Sequence, residues 1–233
     1  MNIALFGYGK MGRMIEGIAQ ERGHRIVAKI DMESAAPDYG NMDVAIDFST
    51  PEAAYANLSG CFAHGVPVIC GTTGWLKDYD RAVSLCEQHK GAFIYASNFS
   101  LGVNLFFELN EHLAKMMAKA PEYTAAIEEI HHTQKLDAPS GTAITLAEGI
   151  LAHSNKKGWV LDQDLQDRLT ISSKRIGDTP GTHTVTYKSA IDNISIEHKA
   201  HNRTGFALGA VIAAEWILGK TGVFGMRDVL NLG

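Results

Sequence analysis

The stretch from Ile3 to Asp31 leaves this chain little choice of fold. Ile3-Ala4-Leu5-Phe6 is a short apolar run typical of a strand buried on both faces. Gly7-Tyr8-Gly9-Lys10-Met11-Gly12 follows at once, and Arg13 to Arg22 then carries Met14, Ile15, Ile18 and Ala19 at helical spacing. Gly23 ends that helix, and Arg25-Ile26-Val27-Ala28-Lys29-Ile30 makes a second strand that closes on Asp31. A strand, a G-x-G-x-x-G turn, a helix and an acid after the next strand are the parts of a dinucleotide-binding βαβ unit. One glycine makes the tight turn, one lets a pyrophosphate approach the backbone, and one lets helix and strand pack closely. Gly7, Tyr8, Gly9, Lys10, Met11 and Gly12 are therefore the expected cofactor loop, and Asp31 the acceptor for ribose hydroxyls. The plainer reading is a tight turn that binds nothing; the flanking strand, helix and acid favour the dinucleotide. A carboxylate at Asp31 repels a 2′-phosphate and Met32 offers no compensating charge, so NADH is expected ahead of NADPH. Lys10 or Arg13 would be the residue to rescue NADPH.

Further strands are expected at Val44-Ala45-Ile46-Asp47-Phe48, Val66-Pro67-Val68-Ile69-Cys70 and Ala92-Phe93-Ile94-Tyr95. Gly71-Thr72-Thr73-Gly74 and Ala96-Ser97-Asn98-Phe99-Ser100 follow the last two, at the carboxyl ends where open α/β sheets bind ligands. The small residues Gly71, Thr72 and Thr73 would allow close approach to the nicotinamide half of a cofactor, unless this is an ordinary turn. Asn98 either bonds a carboxamide or caps the next helix, and capping is the commoner role. Leu105 to Lys119 is helical by its spacing.

The character changes after Pro121. Tyr123 to His132 reads as a strand, and His153 to Gln166 as a polar loop. Leu169 to Arg175, His183 to Lys188 and Ile194 to Lys199 alternate at period two, with Asp192-Asn193 as the turn between the last two. Successive strands without intervening helices predict an antiparallel or mixed sheet. The expected class is α/β: a Rossmann-type doubly wound parallel sheet, plus an α+β substrate and oligomerisation half with a mixed sheet. The first takes residues 1–100 and 205–233, because the apolar helix after Thr204 returns to pack on it; the second takes residues 101–204.

Composition narrows the function. A formal net charge of -5 argues against nucleic-acid binding, which needs a basic stripe. Cys61, Cys70 and Cys86 are odd in number and unpaired in spacing, so they are expected as reduced, buried thiols of a cytosolic protein. No apolar stretch reaches membrane-spanning length and Met1-Asn2 runs directly into a strand, so neither membrane span nor signal peptide is expected.

The chemistry concentrates in Glu128-Glu129-Ile130-His131-His132-Thr133-Gln134-Lys135-Leu136-Asp137-Ala138-Pro139-Ser140-Gly141-Thr142-Ala143. Pro139 keeps Ala138 extended, so a helix starts after it, capped by Ser140 or Thr142. The Gly141 and Thr142 amides then stand at a helix N-terminus, which favours an anion. Lys135, His131 and His132 add cations and protons, suiting a carboxylate-bearing substrate. Adjacent strand residues face opposite ways, so His131 and His132 share a site only if the strand ends there, or one supports the other. Each residue alone is more often structural; the cluster beside a helix start is not. His198 and His201 lack a third ligand, and no metal is expected.

These residues resemble the dihydrodipicolinate reductase family, whose signature reads H-H-x-x-K-x-D-x-P-S-G-T-A. Similarity continues at Gly7 to Arg13, Asp47-Phe48-Ser49, Gly71 to Gly74, Asn98 to Asn104, Arg175-Ile176-Gly177-Asp178, Gly181-Thr182-His183-Thr184 and Met226-Arg227-Asp228-Val229-Leu230. The resemblance implies reduction of a cyclic dicarboxylate, 4-hydroxy-tetrahydrodipicolinate, by NAD(P)H in lysine and diaminopimelate synthesis. His131 matches the acid/base position and Lys135 the proton donor; His132, Gly141 and Thr142 match positions that hold substrate carboxylates. Gly7 to Gly12, Asp31, Gly71 to Thr73, and Ala96, Ser97, Asn98 and Phe99 match the cofactor positions. Family members are usually homotetramers joined through the sheet of the substrate half. Two other readings compete: a reductase of another small acid, and a non-catalytic NADH sensor, which has no need of His131 and Lys135.

Overall fold

The structure is a computed structural model that describes residues 1–31, Ser34 and residues 37–232. The expectation for Met32 lies outside the described residues. The chain divides into two compact units, Met1–Leu101 with Thr204–Gly233, and Gly102–Arg203.

The first unit contains β1 (Asn2–Phe6), α1 (Lys10–Glu21), β2 (Arg25–Ile30), β3 (Val44–Asp47), α2 (Pro51–Ala63), β4 (Val68–Cys70), α3 (Tyr79–Gln88) and β5 (Ala92–Tyr95). After the second unit it resumes with α6 (Thr204–Ile217), β11 (Gly222–Phe224) and α7 (Met226–Val229). Its six strands lie in the order β11-β5-β4-β3-β1-β2, all parallel. In β1, Ile3 and Leu5 pack with Ile15 and Ala19 of α1 and with Ala210, Val211 and Ala214 of α6. Ala4 and Phe6 point the other way, onto Leu58 and Phe62 of α2 and Cys86 of α3. That two-sided burial is why β1 is apolar at every position and why the sheet is wound on both faces. Each fully buried large side chain here contributes about 1.5–3 kcal/mol.

The chain leaves β1 toward β2 on one side, but β3, β4, β5 and β11 lie on the other. The switch point therefore falls between β1 and β3, where an open α/β sheet forms its ligand crevice.

The second unit takes most of α4 (Leu101–Met117), then β6 (Thr124–His131), α5 (Gly141–Leu151), β7 (Trp159–Leu161), β8 (Leu169–Arg175), β9 (Thr182–Lys188) and β10 (Asn193–Lys199). The sheet order is β10-β9-β6-β8-β7. β9 runs antiparallel to β10 and β6, whereas β8 runs parallel to β6 and β7, so the sheet is mixed. Phe106 and Leu113 of α4 and Leu146 and Ile150 of α5 cover Ile127, Ile171 and Val185 on one face.

Several boundaries differ from expectation. β7 lies inside the stretch read as loop, and α4 starts at Leu101 rather than Leu105. β4 omits Val66 and Pro67, since proline has no N–H for a ladder, and Asn193 opens β10 instead of completing the turn. Cys61, Cys70 and Cys86 are buried free thiols, and burial pushes the Cys86 thiol up to about 11. Among the described residues, no helix is long and apolar enough to cross a membrane.

Candidate active site

At the switch point the three glycines of the first turn serve different ends. Gly7 has φ +86°, and a Cβ there would sit 2.3 Å from the Phe48 carbonyl oxygen. A Cβ on Gly12 would lie 2.4 Å from the Gly7 oxygen, so helix and turn meet backbone to backbone. Gly9 is the N-cap of α1 with no side-chain cap, and a Cβ there would meet nothing within 4 Å. Open space at a twelve-residue helix's uncapped N-terminus is what a pyrophosphate requires. Gly7, Tyr8, Gly9, Asp31, Phe48 and Ser49 are among the residues lining a cleft of about 380 Å³ there. Lys10 is exposed, and Met11 packs against the core.

The other expected cofactor residues divide by environment. Thr73 and Ser97 are exposed, and Ala96 is half-buried. The Thr72 hydroxyl is turned inward: it donates to Asp47 Oδ1 and accepts from the Ser49 N–H at 2.9 Å. Asp47 is fully buried and also accepts from the Ser49 hydroxyl and Asn57. Gly71 is small for a packing reason, since a Cβ would lie 2.3 Å from the Phe48 ring. Asn98 Oδ1 accepts from the Ser100 N–H at 2.9 Å, an Asx turn just ahead of α4 rather than a cap on the helix's own first amides. The Phe99 ring is 2% exposed in the core, so any ligand contact from Phe99 is through its backbone.

The second cluster forms where β6 ends. Ile127, Glu129 and His131 share the helix-covered face of β6 by strand alternation, and all three are buried. β6 ends at His131, so His132 lies just past the strand, half-buried, and its carbonyl accepts from the Lys135 N–H at 3.1 Å. Ser140 is the N-cap of α5; its hydroxyl accepts from Ala143 N–H at 3.2 Å. Gly141 is exposed at the helix start and Thr142 half-buried beside it. The Ala138–Pro139 bond in front of them is cis. Lys135 Nζ lies 2.6 Å from both oxygens of Asp137.

Glu129, Arg175 and His183 belong to this cluster, and the sequence reading gave none of them a role. The Glu129 carboxylate is 0% exposed and accepts from Ser140 N–H at 3.0 Å and the Ser173 hydroxyl at 2.6 Å. His131 Nδ1 and His183 Nε2 lie 3.6 and 3.7 Å from Glu129 Oε2. The available signal was spacing: Glu129 is two residues before His131, and β9 and β8 flank β6. Glu129, His131 and His183 are also the one group among the described residues whose ligand atoms, within 4.8 Å of one another, could hold a metal. The Arg175 guanidinium lies 3.5 Å from Glu129, and both carboxylate oxygens already accept protein donors. That arrangement disfavours a cation.

Burial holds His131 well down, to about 4, opposed by Glu129 and assisted by His183, Lys135 and Arg175. Burial raises Glu129, but the nearby His183 ring and hydrogen bonds from Ser140 and Ser173 overcome it and leave the carboxyl far below its ordinary range. Both depressed groups favour the folded state above their unfolded values, and that stability is lost as pH falls. The thermal midpoint is therefore expected to drop as pH falls from about 6.5 toward 4, where His131 titrates, on the order of 1 kcal/mol per unit. Melting curves of wild type and His131→Asn across that window check this; identical slopes would refute it.

A doubly wound sheet with a glycine-lined switch-point cleft, and a separate histidine–lysine cluster at a helix start, define a Rossmann-type oxidoreductase. Residues 1–99 match the dihydrodipicolinate reductase N-terminus and residues 102–230 its C-terminus. The chain belongs to the dihydrodipicolinate reductase family. It is 57% identical to the 4-hydroxy-tetrahydrodipicolinate reductase of Christiangramia forsetii, over 99% of this chain and 98% of that one. The reductase of the same name from Archaeoglobus fulgidus is 36% identical, over 99% and 100% of the two chains. A dipicolinate-bound dihydrodipicolinate reductase from Paenisporosarcina sp. TG-14 shares the fold, with TM-score 0.78 and 22% identity over 97% of each chain.

Proposed function

We propose that this protein reduces 4-hydroxy-2,3,4,5-tetrahydrodipicolinate to 2,3,4,5-tetrahydrodipicolinate with NAD(P)H, in lysine and diaminopimelate synthesis. The observation that carries the reading is His131 at the end of β6, followed by one loop that bears His132 and Lys135 and ends at the capped start of α5. Gly7 to Gly12, Asp31, Gly71 to Thr73 and Ala96 to Phe99 would hold the dinucleotide, whose nicotinamide would supply hydride when bound. Loss of water leaves an unsaturated imine, which accepts the hydride and needs one proton. Lys135 gives that proton. With its value near 4, His131 is neutral at pH 7; it orients the substrate and exchanges protons as acid or base. His132 and the amides of Gly141 and Thr142 bind the carboxylates.

The reaction is tested by making substrate in situ from pyruvate and aspartate semialdehyde and following NADH and NADPH absorbance in parallel. Substrate-dependent oxidation that a His131/Lys135 double replacement abolishes supports the reading. Binding of NADH without turnover moves the assignment to a sensor.

NADH is the proposed preferred cofactor. Asp31 lines the cleft, and Lys29 is committed to Glu16 at 2.8 Å and to the Tyr8 hydroxyl at 3.1 Å. Its charge is therefore answered before a 2′-phosphate arrives. Asp31→Asn is expected to raise kcat/KM with NADPH relative to NADH by roughly fivefold, about 1 kcal/mol of relieved repulsion. A wild type that works equally well with NADPH overturns the preference. The protein is proposed to act in the cytoplasm as a homotetramer assembled through the mixed sheet. β10 is an edge strand of that sheet, and Ile194 on it stands 39% exposed.

A further inference from the structure

A carboxylate with no solvent exposure is seldom retained for stability, because apolar residues of similar size do as well or better. Glu129 is such a group, and its contacts reach both ends of the loop from His132 to Ser140. At the far end it accepts the Ser140 N–H, at the residue whose hydroxyl caps α5. In the middle it acts through Arg175. The guanidinium lies 3.5 Å from Glu129 Oε1 and donates to the carbonyls of Lys135 at 3.2 Å and Asp137 at 2.7 Å. At the near end His131 Nδ1 faces Glu129 Oε2 at 3.6 Å, and that nitrogen is buried without a hydrogen-bond partner among the described residues. The opposite nitrogen, Nε2, faces Gly181, where a Cβ would approach to 3.1 Å.

We propose that Glu129 is the positioning residue of this site: its carboxylate keeps the His131 proton on Nδ1, leaving Nε2 for the substrate, and through Ser140 and Arg175 it fixes the loop that presents Lys135. The inference rests on the reductase reading given above. The charged and titratable groups around His131 are Glu129 on β6, Arg175 on β8, His183 on β9 and Lys135 on the loop. Glu129 is the one anion among them, so it alone favours a proton on His131.

Glu129→Gln keeps the shape and removes the charge. Its kcat is expected to fall on the order of 10²-fold through lost orientation, with cofactor affinity unchanged. The acid limb of the kcat profile moves to lower pH, and Glu129→Asp restores part of the rate. In wild type, nitrogen-15 NMR of the imidazole shows His131 protonated on Nδ1 at pH 7, and Glu129→Gln redistributes the proton. A folded Glu129→Gln variant with unchanged kcat and an unmoved acid limb overturns the proposal. So does a wild-type His131 protonated on Nε2, a reading that stands even if the variant fails to fold. The spectrum also separates the two hypotheses: a protein inactive on this substrate, yet with the Nδ1 proton in place, fails as a reductase and retains the Glu129–His131 relation.

Discussion

Lys135→Ala is expected to lower kcat by about 10²–10⁴-fold, the range for a lost proton donor, while KM and the melting temperature stay near wild type. Lys135 lies on a loop, and its side chain is 20% exposed with an Asp137 partner that is 63% exposed. An ion pair that open to water contributes little to folding. Arg175 holds the backbone at this point through the Lys135 carbonyl, a contact that alanine keeps. The loss therefore falls on the chemistry. His132→Ala is expected to do the reverse, raising KM with kcat largely retained, because its proposed role is in binding alone. Steady-state kinetics on both variants decide it: a Lys135→Ala kcat within threefold of wild type, or the reverse pattern, reassigns the two roles.

Gly7→Ala is expected to cost about 2–5 kcal/mol of stability, whereas Gly9→Ala, two residues on, costs little and instead weakens cofactor binding. At Gly7 the left-handed backbone costs an L-residue about 1–2 kcal/mol. The new methyl, 2.3 Å from the Phe48 oxygen, adds overpacking of about 1–3 kcal/mol. Phe48 cannot retreat easily, because its N–H is bonded to the Phe6 carbonyl at 2.8 Å. At Gly9 the φ is -79° and the methyl enters empty space. That space is where the pyrophosphate is proposed to lie, so the methyl displaces the ligand rather than the protein. Urea unfolding and NADH titration of both variants test the contrast. Equal stability losses, or undiminished NADH affinity in Gly9→Ala, would remove this reason for the glycine pattern.

The parallel sheet was legible because β1, β3 and β5 each carry a short run of apolar residues, and glycine or small polar residues follow within two positions of each strand's end. The mixed sheet was legible because β8, β9 and β10 alternate. β7 and β11 were not. Each is three residues long, too short for any period to show, and each is recruited by a neighbour: β7 by β8, β11 by β5. The loop from His131 to Gly141 was visible because its residue types are unusual together. Its support was hidden because Glu129, Arg175 and His183 come from three strands whose pairing a single sequence does not reveal. Thr72 and Gly71 illustrate the opposite limit. They lie in a turn well placed for a ligand, yet the hydroxyl is spent on Asp47 and the missing Cβ makes room for Phe48.

The first unit is built from two separated lengths of polypeptide, Met1–Leu101 and Thr204–Gly233. On the ribosome the earlier length emerges about a hundred residues before α6, roughly 5–20 s at ordinary synthesis rates. Throughout that interval Ile3, Leu5, Ile15 and Ile46 lack the helix that covers them, and β5 lacks β11 along its edge. The half that is translated first is thus completed last. Until it is, the nascent chain presents an apolar sheet face and an open strand, the surfaces that chaperones bind and that aggregation exploits.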